Sequence, residues 1–445
     1  MQDSQAAAAA DLVIEARWVI PVDPPGRVLE NHAVAISGGR ILALLPADEA
    51  ARRYPSAPVR HLGSHVLIPG LVNLHTHAAM TLMRGLADDL RLMDWLSQHI
   101  WPAEAAHVSP QFVYDGTLLA CAEMLRGGVT CFNDMYFFPE MAARAAIDAG
   151  MRAALGVIVI EFPTAYASDA QDYLRKGLAM RDEFRHEPLL SFCMAPHAPY
   201  TVADRTFEQV LTLSEQLQIP VHMHLHETAD EIRESLSRFG MRPLARLEKI
   251  GLLGPNFIAV HAVHLDPGEI ALLGRLGCSV AHCPSSNLKL ASGIAPVADM
   301  LSAGIGVGLG TDGAASNNRL DVLAEMRTAA LLAKTRAEDP RALPAHAVLR
   351  MATLDAARAL GLERSIGSIE AGKLADLCAV NLDAPELSPC YDPASHLAYA
   401  AGREHVSDVW VAGRQVVDAG GLCSLDAATL KRKAGEWKSR IARPQ

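Results

Sequence analysis

Three short stretches of the chain concentrate groups able to hold a metal ion and move a proton. VHMHLHET, residues 221–228, places His222, His224 and His226 at every second position and follows them with Glu227. On an extended strand that period sends all three imidazoles to one face and Val221, Met223 and Leu225 to the other, so spacing alone does not rank the histidines. GLVNLHTH, residues 70–77, repeats the theme, with His75 and His77 two apart and pointing the same way. GLGTDG, residues 308–313, closes a small-residue run on Asp312. Taken singly, a His-x-His pair is most often structural and an aspartate before glycine is a turn residue. Taken together, histidine nitrogens and one carboxylate oxygen suit a divalent ion such as Zn²⁺, with room for a water.

Such groups need a frame that brings them together. Short apolar runs alternate with helical patterns through the middle of the chain, the rhythm of a parallel α/β fold. Eight runs qualify: GLVNLHTH, GVTCFNDM, RAALGVIVI, LLSFCMAPHAPY, IPVHMHLHE, NFIAVHAVHL, CSVAHCPSSN and GVGLGTDG. Stretches such as TFEQVLTLSEQL and PGEIALLGRLG read as the intervening helices. Eight such units predict a (β/α)8 TIM-type barrel, whose active sites lie at the C-terminal strand ends. His75, His77, Asp134, His197, Glu227, His264, Ser286, Asn287 and Asp312 all fall there. Both chain ends are instead β-rich and turn-rich, which predicts a small β-sandwich built from the two termini. The expected division is 1–68 and 366–445 for the sandwich, with a terminal helix, and 69–365 for the barrel.

Composition bounds the partners. The chain has 445 residues, half of them hydrophobic, and a net charge of −10. That acidity disfavours nucleic acid and anionic membranes. A basic group near the end, Lys431 to Lys433 with Lys438, Arg440 and Arg443, reads as a solvated helix. No run of about 18 apolar residues spans a membrane. The N-terminus lacks the basic region of a secretory signal. Eight cysteines without a CxxC pattern form neither a disulfide framework nor a zinc cage, and six of them, Cys121, Cys131, Cys193, Cys278, Cys283 and Cys378, read as buried small hydrophobes. A cytoplasmic protein is expected.

PGLVNLHTHAAM, the HxxE spacing of His224 to Glu227, VHAVHL, HCPSSNLKL, GLGTDGAASNN and GSIEAGKLADL (367–377) together resemble the amidohydrolase superfamily. Within it they are similar to the branch of 5′-methylthioadenosine/S-adenosylhomocysteine deaminases, related to triazine chlorohydrolases and guanine deaminases. The resemblance runs from about residue 11 to 420. It implies that His75, His77, His224 and Asp312 are the metal ligands. It implies further that Glu227 carries protons, and that His261 and Asp312 orient the attacking water. His264 is the rival of His261 but falls past the strand end.

Glu104 matches a ribose-binding glutamate and His197 a substrate-contacting histidine; with Glu227 they would form the substrate site. The fourth strand has no lysine to bridge two ions, so one divalent metal per chain is expected: Zn²⁺, with Fe²⁺ or Mn²⁺ as alternatives. On a straight strand a residue at +3 lies about 10 Å along and faces away. The chain must therefore bend after Leu225, leaving His222 a layer deeper in the core and His226 either a supporting group or exposed.

The implied activity is hydrolytic removal of the 6-amino group of an adenine nucleoside: 5′-methylthioadenosine, S-adenosylhomocysteine or adenosine. The alternatives are a guanine deaminase, a triazine chlorohydrolase-like enzyme or a non-catalytic metal-binding barrel. One departure bears on the substrate, because the family's arginine after the third strand is missing from residues 157–169. Arg84 and Arg91 are the other candidates for that charge, and Trp101, Met80 and Met83 could form an apolar pocket. Residues 90–101 would act as a lid or lie at a contact in a homo-oligomer, a dimer or tetramer.

Overall fold

The structure is a computed structural model that describes residues 9–442, so Arg443 and most of the N-terminal alanine tract lie outside the described residues. Eight strands form one sheet in sequential order: β5 (Leu71–Thr76), β6 (Val129–Asp134), β7 (Arg152–Val159), β8 (Leu190–Pro196), β9 (Val221–Leu225), β10 (Phe257–His261), β11 (Ser279–His282) and β12 (Gly306–Leu309). These are the eight runs expected from sequence. The paired neighbours are parallel, with helices between them. Six of the strands, β5, β6, β7, β9, β10 and β11, are buried along their whole length. That is the reason they read as continuous apolar runs.

The barrel closes between β12 and β5 through side chains as well as backbone. The amides of Thr311 and Asp312 both donate to the His75 carbonyl, at 3.1 and 3.0 Å. Asn73 accepts from the Thr311 amide at 2.9 Å and donates to the Thr311 hydroxyl at 2.8 Å. The seam therefore fixes Asp312 against the strand that carries His75.

The second sheet is made by both ends of the chain: β1 (Leu12–Val19), β2 (Leu29–Ser37), β3 (Arg40–Pro46), β4 (Val59–Pro69), β13 (Leu377–Asn381), β14 (Val406–Val411), β15 (Arg414–Asp418) and β16 (Gly421–Leu422). Their order is β16-β15-β14-β13-β4-β1-β2-β3. The sheet curls until distant hairpins meet. Gly39 has φ +75°, and a Cβ there would lie 2.5 Å from the Ala412 carbonyl oxygen. Ile14, Ile41, Leu377 and Trp410 share the apolar cluster inside this curl.

Only Gly70 separates β4 from β5, and it packs so closely that a Cβ would sit 2.1 Å from Thr130 Oγ1. The terminal helix Ala427–Ile441 is less solvated than its composition suggests. Leu430 and Trp437 are buried, and both Trp437 Nε1 (3.0 Å) and Lys433 Nζ (2.6 Å) donate to Asp115 on helix Pro110–Arg126. Among the described residues no helix is long and apolar enough to cross a membrane, and all eight cysteines are free, six of them buried.

A buried ion pair pins the two units together. Arg152, at the start of β7, donates from Nε and Nη2 to Asp376 at 2.9 and 3.1 Å. Asp376 also accepts from the Ala412 amide at 2.7 Å. Removing one partner strands the other charge in the interior. Asp376→Ala is therefore expected to lower stability by about 3–5 kcal/mol, measured by denaturant unfolding. The matched apolar pair Arg152→Met/Asp376→Leu should recover most of that loss.

Candidate metal centre and active site

Imidazoles and one carboxylate meet at the C-terminal mouth of the barrel. His75 lies inside β5 and is fully buried, while His77 lies just past its end. Asp312 follows β12 on a backbone with φ +61°, which turns its carboxylate inward. Its Oδ1 is 3.2 Å from His75 Nε2 and 3.2 Å from His77 Nε2. Its Oδ2 accepts from the hydroxyls of Ser286 at 2.6 Å and Ser316 at 2.7 Å. Burial raises the Asp312 carboxyl, but the neighbouring imidazoles of His75 and His77 outweigh it and hold the group well below the usual range.

Each histidine is oriented from behind, the arrangement by which outer partners fix which nitrogen faces a metal. His77 Nδ1 donates to the Met135 carbonyl at 2.6 Å, and His224 Nδ1 to the His197 carbonyl at 2.7 Å. His75 Nδ1 is 2.9 Å from His222 Nε2, so His222 lies one layer deeper and hydrogen-bonded, as expected. These bonds leave Nε2 of His75, His77 and His224 directed inward. His75 Nε2 is a buried atom with no hydrogen-bond partner, which fits a metal-binding nitrogen.

Atoms of His75, His224, His261 and Asp312 lie within 4.8 Å of one another, a grouping able to hold an ion. This tightest set contains His261 and omits His77. Yet His77 stands as close to Asp312 Oδ1 as His75 does, so five residues converge. His261 differs in its surroundings. Its Nδ1 donates to Asn287 Oδ1 at 2.8 Å, and its Nε2 faces Glu227 Oε2 at 3.8 Å. His264, its rival, turns away and binds the Ser292 carbonyl at 2.8 Å. His226 is fully buried rather than exposed. Glu227 is buried too, and its carboxyl is raised by that burial.

These groups form the floor of a cavity of about 480 Å³. Glu104, on helix Trp101–His107, reaches it from the side and accepts from the Tyr136 hydroxyl at 2.7 Å. Burial pushes the Glu104 carboxyl up to about 7. His197 lines the cavity as well, and its Nδ1 donates to Thr201 Oγ1 at 3.0 Å. Burial lowers that imidazole to about 3, leaving it neutral with Nε2 as a free acceptor.

The rest of the wall is mostly apolar, with Leu96, Ile100, Trp101, Phe137, Ile158, Ile160 and Phe162, and Met80 lines it as well. Met83 is buried in the core and does not reach it. No lysine or arginine lines the cavity among the described residues. Arg84 is spent on Glu123 and the Asn318 carbonyl. Residues 92–107 form the cavity's outer wall through a helix, a π-turn and a second helix.

Ser286 and Asn287 stand at strand ends with no role legible in the sequence, and Ser316, Tyr136 and Tyr200, which lines the cavity, are not among the sequence candidates. Ser316 falls four residues after Asp312 in a quoted motif, and Tyr200 closes PHAPY. Tyr136, two residues past the end of β6, gave no signal.

A parallel barrel with a His-x-His first strand, a histidine on its fifth strand and an aspartate after its eighth defines a class of metal-dependent hydrolases. Residues 66–416 match the amidohydrolase family model. A 5-methylthioadenosine/S-adenosylhomocysteine deaminase from Saccharophagus degradans is 46% identical over 432 residues, 97% of each chain. One from Teredinibacter turnerae is 45% identical, covering 97% of this chain and 98% of its own. Among solved structures, an adenosine deaminase from Xanthomonas campestris with bound zinc superposes with a TM-score of 0.95 at 51% identity, covering 97% of this chain and 99% of its own. An atrazine chlorohydrolase from Arthrobacter aurescens complexed with zinc gives 0.88 at 26% identity, over 96% and 100%. The chain belongs to the amidohydrolase family.

The contact of His222 with His75 predicts a measurable role behind the centre. His222→Leu should weaken metal retention about 10- to 100-fold, read as zinc lost to a competing chelator.

Proposed function

We propose that this chain is a deaminase that hydrolyses the 6-amino group of adenine nucleosides, releasing ammonia and the inosine analogue. His75, His77, His224 and Asp312 would hold one divalent ion, Zn²⁺ by the precedent of the Xanthomonas campestris enzyme. An ion so held supplies a water acidified toward neutral pH. His261, placed between Asn287 and Glu227, orients that water together with Asp312. Glu227 takes a proton from the water and delivers it to ring N1, which makes C6 electrophilic. The water oxygen bonds to C6, Glu227 carries its remaining proton to the amino group, and the C6–N bond breaks to release ammonia while N1 keeps the first proton. Glu104 accepts from the ribose hydroxyls, with Tyr136 holding its other side, and His197 Nε2 accepts from the base.

The observation that carries this reading is the buried, non-ligating carboxylate of Glu227 facing His261 Nε2 at 3.8 Å, beside the four-atom grouping. A purely structural ion has no use for a spare acid at its side. The names of the relatives at 45–46% identity support the nucleoside class. The ribose acceptor Glu104 speaks against a triazine or a free base as substrate.

The cavity's composition bears on which nucleoside is preferred. An apolar wall without a cation favours a methylthio group or a bare 5′ hydroxyl over the charged amino-acid tail of S-adenosylhomocysteine. The free cysteines suit a reducing cytoplasm, where the enzyme would work as a homo-oligomer.

Glu227→Gln should retain zinc while ammonia release from 5′-methylthioadenosine falls by about 10²–10⁴-fold; an active variant that keeps its metal would refute the assignment. In a panel with adenosine, S-adenosylhomocysteine and guanine, kcat/KM should be highest for 5′-methylthioadenosine and absent for guanine. The Glu104 carboxyl, pushed up to about 7 by burial, must be ionised to accept two hydroxyls. KM should accordingly rise as the pH falls through 7, and this rise should vanish in Glu104→Gln, measured by initial rates between pH 6 and 8.

A further inference from the structure

Between His224 and Glu227 the strand ends and the chain turns sharply, and the turn is held by groups that the reaction itself does not use. His226 has φ +55°, a conformation that a residue with a Cβ keeps only when its surroundings impose it. Its amide donates to Glu231 Oε1 at 2.9 Å, and the next amide, that of Glu227, donates to Glu231 Oε2 at 2.9 Å. Its carbonyl accepts from the amides of Val263 and His264, both at 3.0 Å. Its ring Nε2 accepts from the Leu244 amide at 3.2 Å, which leaves the proton on Nδ1, facing Glu269 Oε2 at 3.4 Å. Glu269 is itself held by Arg242 through two bonds of 2.7 Å.

Glu231 is the third residue of helix Ala229–Phe239, whose cap is Thr228; the Thr228 hydroxyl accepts from the Glu231 amide at 3.2 Å. A glutamate at that position ordinarily reaches back to the amide of the cap residue. Here it reaches past the cap to the two residues before it. Both carboxylate oxygens are thereby committed, in a buried setting where charge-assisted bonds to amides are strong. One side chain fixes the direction in which the backbone enters Glu227.

We propose that Glu231 is a positioning residue for Glu227, with His226 as the second half of the same clamp. Neither touches the substrate cavity. Together they hold the proton-carrying carboxylate over His261 and against the barrel mouth. The inference rests on the reading of Glu227 as proton carrier. A misplacement of about 1 Å costs roughly 10²-fold in rate, so a loosened clamp should appear in kcat before anything else.

The test compares Glu231→Gln, Glu231→Asp and Glu227→Gln in the zinc-loaded full chain, with 5′-methylthioadenosine as substrate. Glutamine keeps the shape of the side chain but sets an NH₂ against an amide donor, losing one of the two bonds. Aspartate keeps the charge but is one methylene short. The expected result is a fall in kcat of about 10- to 100-fold for Glu231→Gln. Glu231→Asp should fall less, and KM and zinc content should stay within twofold of the wild type in both. Wild-type kcat in Glu231→Gln beside an inactive Glu227→Gln would overturn the clamp and leave the role of Glu227 intact. A loss of kcat matched by loss of zinc or a parallel rise in KM in both Glu231 variants would also overturn it, since the residue would then be merely structural. Full activity in Glu227→Gln would bring down the underlying reading itself.

Discussion

Asp312 is a buried carboxylate, and the rest of the molecule is arranged so that it can remain one. An isolated ionised acid in such a place is strongly disfavoured, and a group left there alone neutralises. Every lone pair is therefore addressed. Two serine hydroxyls take Oδ2, and two imidazole nitrogens face Oδ1. The backbone that delivers the residue is tied to β5 by its own amide and by the Asn73–Thr311 exchange. Closing the barrel and assembling the charged centre are thus the same event. A slip of one residue at the β12–β5 seam would send Asp312 to the other face.

Three carboxylates line one cavity, and environment separates them. Asp312 is kept ionised by imidazoles. Glu227 is raised by burial, which would suit the proton-carrying role proposed for it. Glu104, up on the wall, is raised to about 7 beside a tyrosine hydroxyl. Left-handed backbone recurs where the chain must aim these groups, at His226, His261 and Asp312. Strain of this kind is sustained only by dense surrounding bonds.

Much of this was legible in the amino-acid order because period and chemistry coincide. The eight barrel strands are short apolar runs ending in polar groups, and the His-x-His of β5 announces its direction through period two alone. The three histidines of β9 were ranked only by resemblance, since period two treats them alike. What separates them is depth: His222 bonds His75 from below, and His226 leaves the strand geometry altogether. The burial of His226 and the reach of Glu231 past its cap depend on a bend, which periodicity does not encode. Tyr136 and Ser316 were invisible for a related reason. Tyr136 matters through Glu104, a partner distant in sequence, and Ser316 through Asp312, which it meets only because the chain turns back after β12. The terminal helix was expected to be solvated because its basic residues dominate the composition, yet two apolar residues and one buried acid on its neighbour decide how it sits.

The order of strands in the second sheet carries a consequence for how the chain comes to be made. β4 lies between β1 and β13, and Gly70 joins β4 directly to the first barrel strand. The partner that completes β4 begins only at Leu377, after the whole barrel has been synthesised. Asp376, the counter-charge of Arg152, emerges just before it. A nascent chain therefore carries β4 without this partner through about three hundred residues of elongation, and the Arg152 guanidinium without its acid through 224. Each late arrival finds a surface already prepared for it. The C-terminal strands are thus a latch, fastening the sheet to the barrel through β13 and Asp376.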